Sequence, residues 1–224
     1  MLRKMSLRLC LIALLLVGVS SWADDIPVSV PIQNGSFEAT TLAPGGWTMG
    51  APGWTLNGVG GAYAPTGSII EPPAADGNNA FWLNSGSVSQ TLAETYGPYM
   101  NYTLSVAVGQ RADFSGVSYM IQFLAGDVVL ASYANPVSPD PGTWGNAVVT
   151  FSTGVSASFF GQPLTISFTN TGNSQVLFDN VSMTAVDPQP VADVAVSNVP
   201  EPASLLLLSS GLATIGGVIR RRRK

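Results

Sequence analysis

The chain has 224 residues, with nine Lys and Arg against thirteen Asp and Glu, one cysteine and no histidine, for a formal net charge of −4. That inventory rules out histidine-based triads, histidine zinc sites and a disulfide framework. Three basic residues lie before residue 9 and five close the chain, so Arg111 alone faces all thirteen acids in between, a net charge of about −12; a nucleic-acid partner, which needs cations to displace counterions from phosphates, is excluded.

The N-terminus reads Met1-Leu-Arg-Lys, then Arg8, an apolar run over 9–19 and Ser21-Trp-Ala23. A basic start, an apolar middle and small residues before a cut after Ala23 make residues 1–23 a signal peptide. The alternative is an uncleaved anchor, but 11 apolar residues fall short of the roughly 17–25 that a span needs. Cys10 lies inside this run. The exported protein therefore has no cysteine for thiol catalysis or Cys-ligated zinc.

Residues 26–186 read as one folded domain with a period of two. Tyr102, Leu104, Val106 and Val108 alternate with small or polar residues, as do Leu164, Ile166 and Phe168, and Val149 and Phe151. This is half-buried strand patterning. Further strands are expected at 80–84, 88–92, 118–124, 128–133 and 176–184, separated by clusters of Gly, Asn, Pro and Asp. No long amphipathic helix appears. The expected fold is all-β, a two-sheet antiparallel β-sandwich or jelly roll. Residues 40–73, rich in Gly and Pro and carrying Trp47, Trp54 and Tyr63, read as long loops with a strand or two.

Residues 187–199 read as a stalk of Pro and small residues. Val199-Pro200-Glu201-Pro202 follows, then an apolar run over 203–219 and a terminal Arg-Arg-Arg-Arg-Lys. Seventeen apolar residues reach the lower limit for a transmembrane helix. The basic end is expected to stay cytoplasmic and leave the domain outside. A short Pro-Glu-Pro motif, an apolar helix and a basic terminus resemble the PEP-CTERM sorting signal of exported bacterial proteins. That resemblance implies processing over 200–224 by an exosortase-type membrane protease, a transient membrane intermediate, and a cell-surface or matrix destination.

Two short segments bracket the domain, Asn34-Gly-Ser-Phe-Glu38 and Phe178-Asp-Asn-Val-Ser182, with Gly46-Trp47, Asp76-Gly-Asn-Asn and Gln90-Thr-Leu between them. The layout resembles carbohydrate-binding modules of the galactose-binding-like jelly-roll class. The resemblance implies neighbouring first and last strands and a structural calcium, with Glu38 and Asp179 as side-chain ligands and Asn34 and Ser36 as weaker candidates. Asp179 also shares strand parity with Leu177, Val181 and Met183, which points it toward the core, and a buried carboxylate requires a cation or hydrogen-bond donors. The alternative is that Asp179 accepts backbone N–H bonds.

Exposed aromatic faces are the usual sugar platforms, and Trp47, Trp54, Tyr63 and Trp144 are the candidate ligand-binding residues. Trp82 and Tyr133 are further aromatics, core packing is the competing reading for all six, and Trp144, in Asp140-Pro-Gly-Thr-Trp-Gly, reads as the most loop-like. Arg111, beside Asp113, reads as an ion pair, with ligand donation as the sharper alternative. The expected function is a non-catalytic, exported polysaccharide-binding protein; the alternative is a structural or adhesive matrix protein without a small ligand. A glycoside hydrolase is a third reading, with Glu71, Asp76, Glu94 and Asp113 as available acids.

Overall fold

The computed structural model describes residues 26–114 and 116–187. The signal segment, Pro200, Glu201 and Pro202, the apolar run over 203–219 and all of the stalk beyond Asp187 lie outside the described residues. Within them the chain is all-β, with nine strands: β1 (Val28–Ser29), β2 (Thr55–Tyr63), β3 (Ala80–Thr95), β4 (Asn101–Gln110), β5 (Tyr119–Ala125), β6 (Val128–Ala134), β7 (Thr143–Ser152), β8 (Pro163–Asn170) and β9 (Val176–Val186). Every strand pairing is antiparallel.

The strands form one hydrogen-bonded path, β6-β5-β8-β3-β9-β4-β7, with β1 added on β9 and β2 on β3. The antiparallel all-β expectation holds, but the two expected sheets are joined. The joint is β3. Sequence patterning splits this stretch into two strands around Asn84-Ser-Gly-Ser; in the structure those residues continue a single 16-residue strand. Gly86 has φ +79°, and a Cβ there would lie 2.0 Å from the Asn57 carbonyl oxygen. A glycine in the left-handed region bends a strand without ending it. Before the bend, Phe81 to Leu83 pair with β9; after it, Gly86 to Thr91 pair with β8. One strand thus serves both layers. The sheet curls into a nearly closed barrel, and the Tyr133 hydroxyl on β6 donates to the Thr150 carbonyl on β7.

The alternating apolar residues fill the interior. Tyr102, Leu104, Val106, Val108, Leu164, Ile166, Phe168, Phe178 and Leu83 are all completely buried. Phe168 stacks on Phe178 with ring centroids 4.9 Å apart. Each such side chain contributes about 1.5–3 kcal/mol through burial. The N-terminal segment is clamped by Gln90, whose Oε1 accepts from the Gln33 N–H and whose Nε2 donates to the Gln33 and Gly53 carbonyls. β1 pairs with β9, so the first and last strands are neighbours, as the jelly-roll resemblance implies.

Candidate active site

A second, smaller apolar cluster lies apart from the main core. Cross-strand register makes this clear. Phe81 and Leu83 belong to the main core, and the residue between them, Trp82, joins Ile70 and Leu177 in the second cluster. Trp82 is the direct partner of Leu177 on β9 and of Gly61 on β2; Leu177 in turn pairs with Gly109 on β4. Side chains two residues along from this row share its face. They are Tyr63, Asn84, Arg111 and Gln175.

Those four, with Trp82 and Trp47, line a cavity of about 240 Å³. Trp47 reaches it from the preceding loop, which lies along β2 through a Trp47–Tyr63 bridge and a Thr48 N–H to Ala62 carbonyl bond. The loop can come this close because β2 has no side chain at Gly61, where a Cβ would sit 1.9 Å from the Thr48 carbonyl oxygen. Trp47 is 62% exposed and packs edge-on against Trp82, ring centroids 5.8 Å apart. Trp82 is buried, and its Nε1 has no hydrogen-bond partner among the described residues.

The polar wall is a chain of side chains. Asp113 takes Arg111 in a two-pronged pair, Nε to Oδ1 at 2.8 Å and Nη2 to Oδ2 at 2.7 Å. Arg111 Nη1 donates to Gln175 Oε1 at 2.8 Å, and Gln175 Nε2 donates to Asn84 Oδ1 at 2.8 Å. The guanidinium carbon lies 5.9 Å from the Tyr63 ring centroid and 4.9 Å from that of Phe114. The hydrogen bonds that Arg111 donates to Asp113 raise the Arg111 pKa further and lower that of Asp113. The site therefore combines flat aromatic faces with a fixed charge and oriented amides.

Of the four predicted ligand-binding aromatics, the cavity gathers two, Trp47 and Tyr63. Trp54 is a core residue: its ring lies 5.3 Å from Phe37 and 5.7 Å from Phe168, and its Nε1 donates to the Asn34 carbonyl. Trp144 lies on β7 rather than in a loop, packs against the Ile70–Trp82–Leu177 cluster and donates to the Pro72 carbonyl. It does not line the cavity. Arg111 is both the ion pair and a cavity residue. Asn84 and Gln175 were not singled out; their only sequence signal is parity with Trp82 and Leu177.

The predicted metal ligands lie elsewhere, under a loop over residues 74–79. Glu38 Oε1 accepts from the N–H groups of Asn78 and Asn79 at 2.8 and 2.6 Å. Asp179 is completely buried, as its parity implied. Its Oδ2 accepts from Ala75 and Asp76, and its Oδ1 from Asn180. Burial foremost, with the like charge of Asp76, pushes the Asp179 carboxyl up to about 7 against those three hydrogen bonds. The two bracketing motifs meet here, through the Val181 N–H to Gly35 carbonyl bond. Asn79 Nδ2 donates to the Phe37 and Thr40 carbonyls, while its Oδ1 is buried without a hydrogen-bond partner among the described residues. Among the described residues no three acidic side chains converge on one point that could hold a metal. Asn34, the weaker candidate, uses its side chain locally, accepting from the Ala39 N–H and donating to the Pro52 carbonyl.

The C-terminal residues 198–224 match the PEP-CTERM protein-sorting motif, which supports export across the membrane toward the cell surface and implies an exosortase-type protease as a partner. Residues 28–184 match the HpiC1-like family, described as HpiC1 cyclase. No curated protein sequence matches the chain. Among solved structures, the Stig cyclase Fisc from Fischerella sp. TAU, in complex with (3Z)-3-(1-methyl-2-pyrrolidinylidene)-3H-indole, is 26% identical with a TM-score of 0.64, covering 71% of this chain and 98% of that one. A cyclase from Fischerella sp. TAU in complex with 4-(1H-indol-3-yl)butan-2-one is 27% identical with a TM-score of 0.63, covering 70% and 97%. The CBM22-1 xylan-binding domain from Paenibacillus barcinonensis Xyn10C overlays more distantly, at 14% identity and a TM-score of 0.46 over 71% and 94%.

These matches overturn the expectation of a non-catalytic, polysaccharide-binding protein. The jelly-roll motifs that suggested it belong to the scaffold: they tie the chain ends and the 74–79 loop together, and a scaffold does not fix an activity. The family that spans the folded region is catalytic. The chain belongs to the HpiC1-like family, that of the HpiC1 cyclase.

Proposed function

We propose that this protein is an exported enzyme that closes a ring on a substrate with a flat, indole-class body, bound between Trp47, Tyr63 and Trp82. The observation that carries the reading is the cavity itself: three aromatic residues and an oriented polar wall converge on about 240 Å³ in a chain of a cyclase family. Small-molecule sites set convergent polar groups against apolar walls, and here three polar side chains face three aromatic ones. Both cyclase relatives above hold indole compounds, which supplies the substrate class. Ring closure onto an electron-rich aromatic needs its reacting chain folded back and water kept away. Flat aromatic walls suit both tasks, and their faces stabilise positive charge that develops during closure.

The C-terminal segment holds the precursor in the inner membrane until processing releases the domain at the cell surface. Calcium has a structural role at the 74–79 loop. What supports it is a hard oxygen left over there: the buried Asn79 Oδ1 has no hydrogen-bond partner among the described residues, beside the Glu38 carboxylate that holds the Asn78 and Asn79 N–H groups. Asp179, whose oxygens hold three N–H groups, acts as the loop's backbone anchor.

The test is incubation of the protein with indoles carrying an unsaturated or carbonyl side chain at C3. A product of altered chromatographic retention, formed without an added oxidant or reductant and lost in Trp47→Ala, is expected. Absence of both binding and product across such a series sinks the reading.

A further inference from the structure

The polar wall of the cavity has only one consistent hydrogen-bond direction, and that direction names a feature of the substrate. A guanidinium donates and never accepts. Gln175, facing Arg111 Nη1 at 2.8 Å, must therefore turn its carbonyl oxygen to Arg111 and its amide nitrogen away. That nitrogen meets Asn84 at 2.8 Å, so Asn84 must offer its oxygen and leave Nδ2 unengaged by the relay. At the other end, both oxygens of Asp113 are taken by Arg111. Each side-chain acceptor of the relay is thus occupied within it. Asn84 Nδ2, the second N–H of Gln175 Nε2 and the remaining guanidinium N–H groups are the relay donors left for a ligand. The orientation follows from the chemistry of Arg111 and does not depend on how the two amides are assigned. Gln175 is buried and the Arg111 side chain is 17% exposed, so the middle of the relay is held in place, while its ends, Asp113 and Asn84, are open to solvent.

We infer that the substrate carries a hydrogen-bond acceptor, a carbonyl or carboxylate oxygen, that docks on Asn84 Nδ2 and Arg111 while its aromatic body lies against Trp47 and Tyr63. This rests on the reading of the cavity as an indole-class site and adds the polar half of the substrate. A wall of donors beside an aromatic slot favours an acceptor-bearing indole and disfavours one whose polar group is a cation, since the fixed guanidinium repels it.

The experiment is calorimetric titration of the full chain with three probes sharing one ring: indole-3-propionate, 4-(1H-indol-3-yl)butan-2-one and tryptamine. The propionate and the ketone are expected to bind about 10-fold or more tightly than tryptamine, the effect of one charge-assisted hydrogen bond. In Asn84→Asp, an exposed position where folding is checked by an unchanged melting temperature, an acceptor replaces the donor and the preference shrinks or inverts. Gln175→Glu is the second variant: a carboxylate still accepts from Arg111 but cannot donate to Asn84, and the same loss of preference is expected. Tryptamine binding as tightly as the other two in the unaltered protein, or an unchanged preference in both variants, overturns the inference alone. No binding of any of the three overturns the indole-class reading, and the inference with it.

Discussion

Two polar regions of this molecule use carboxylates in opposite ways. At the 74–79 loop, Glu38 and Asp179 accept backbone N–H bonds and hold a segment in place. At the aromatic cavity the carboxylate, Asp113, accepts from Arg111 through both oxygens, and by occupying it leaves a row of donors toward the proposed ligand space. In the first arrangement Asp179 is buried, Glu38 is half-buried, and both hold backbone groups of their own chain. The second has its carboxylate half exposed, at 49%, on the rim. In a domain with so many acids, those at the 74–79 loop serve the scaffold, whereas the proposed site is set apart by the donors its relay leaves over.

The sharpest way to break this contrast is through the tryptophans. Trp54→Ala removes a ring buried between Phe37 and Phe168, and a loss of about 3–5 kcal/mol in denaturant unfolding is expected. Trp47→Ala, at an exposed ring, is expected to leave stability within about 1 kcal/mol and to abolish indole binding. Equal costs in stability for the two would make Trp47 a structural residue. Next in size is Asp179→Ala, which leaves three backbone N–H groups without an acceptor and is expected to cost about 3 kcal/mol, with affinity at the cavity unchanged in the molecules that remain folded.

A smaller effect separates the regions by pH. Asp179 titrates at about 7 in the folded chain against an ordinary value of 3.8. Between those values the folded state keeps a proton that the unfolded chain has released. Its contribution is therefore greatest at low pH and declines as pH rises through about 7. With no histidine in the chain, this window is free of the side chain that usually titrates there. In chelator the melting temperature is expected to fall between pH 5 and pH 8, and a rise would contradict the burial of Asp179 as an unneutralised acid. Calcium is expected to raise the melting temperature in wild type and not in Glu38→Gln. The smallest effect belongs to Arg111→Lys. It keeps the charge but loses the two-pronged geometry, for about 0.5 kcal/mol or less in stability and a measurable loss of discrimination among indole ligands.

Much of the scaffold is legible in the residue pattern because a half-buried strand announces itself with a period of two. The alternations on β4, β7 and β8 became strands, and the parity of Asp179 foretold its burial. What the pattern hides is where a strand changes partners. Asn84-Ser-Gly-Ser has turn composition, and only the neighbouring Asn57 and Gly58 reveal Gly86 as a bend within β3. The site was half legible for the same reason. Trp47 and Tyr63 stand out as aromatics in a Gly-rich region, but Trp54, seven residues from Trp47, looks identical in sequence and is core. Asn84 and Gln175 are ordinary amides until β3, β9 and β4 are set in register. A cyclase family is hard to read from the sequence because histidine and paired carboxylates are the usual catalytic signals, whereas the proposed site sets aromatic faces beside an arginine relay.

The bond from Tyr133 to the Thr150 carbonyl has a bearing on life outside the cell. β6 and β7 end the hydrogen-bonded path, and they carry exposed Val128, Val129 and Val148. Strand ends of this kind recruit copies of themselves. By turning the two ends of the sheet toward each other, the curl denies a neighbouring molecule a straight template. A protein exported toward the cell surface can then accumulate there without its own strands seeding fibres.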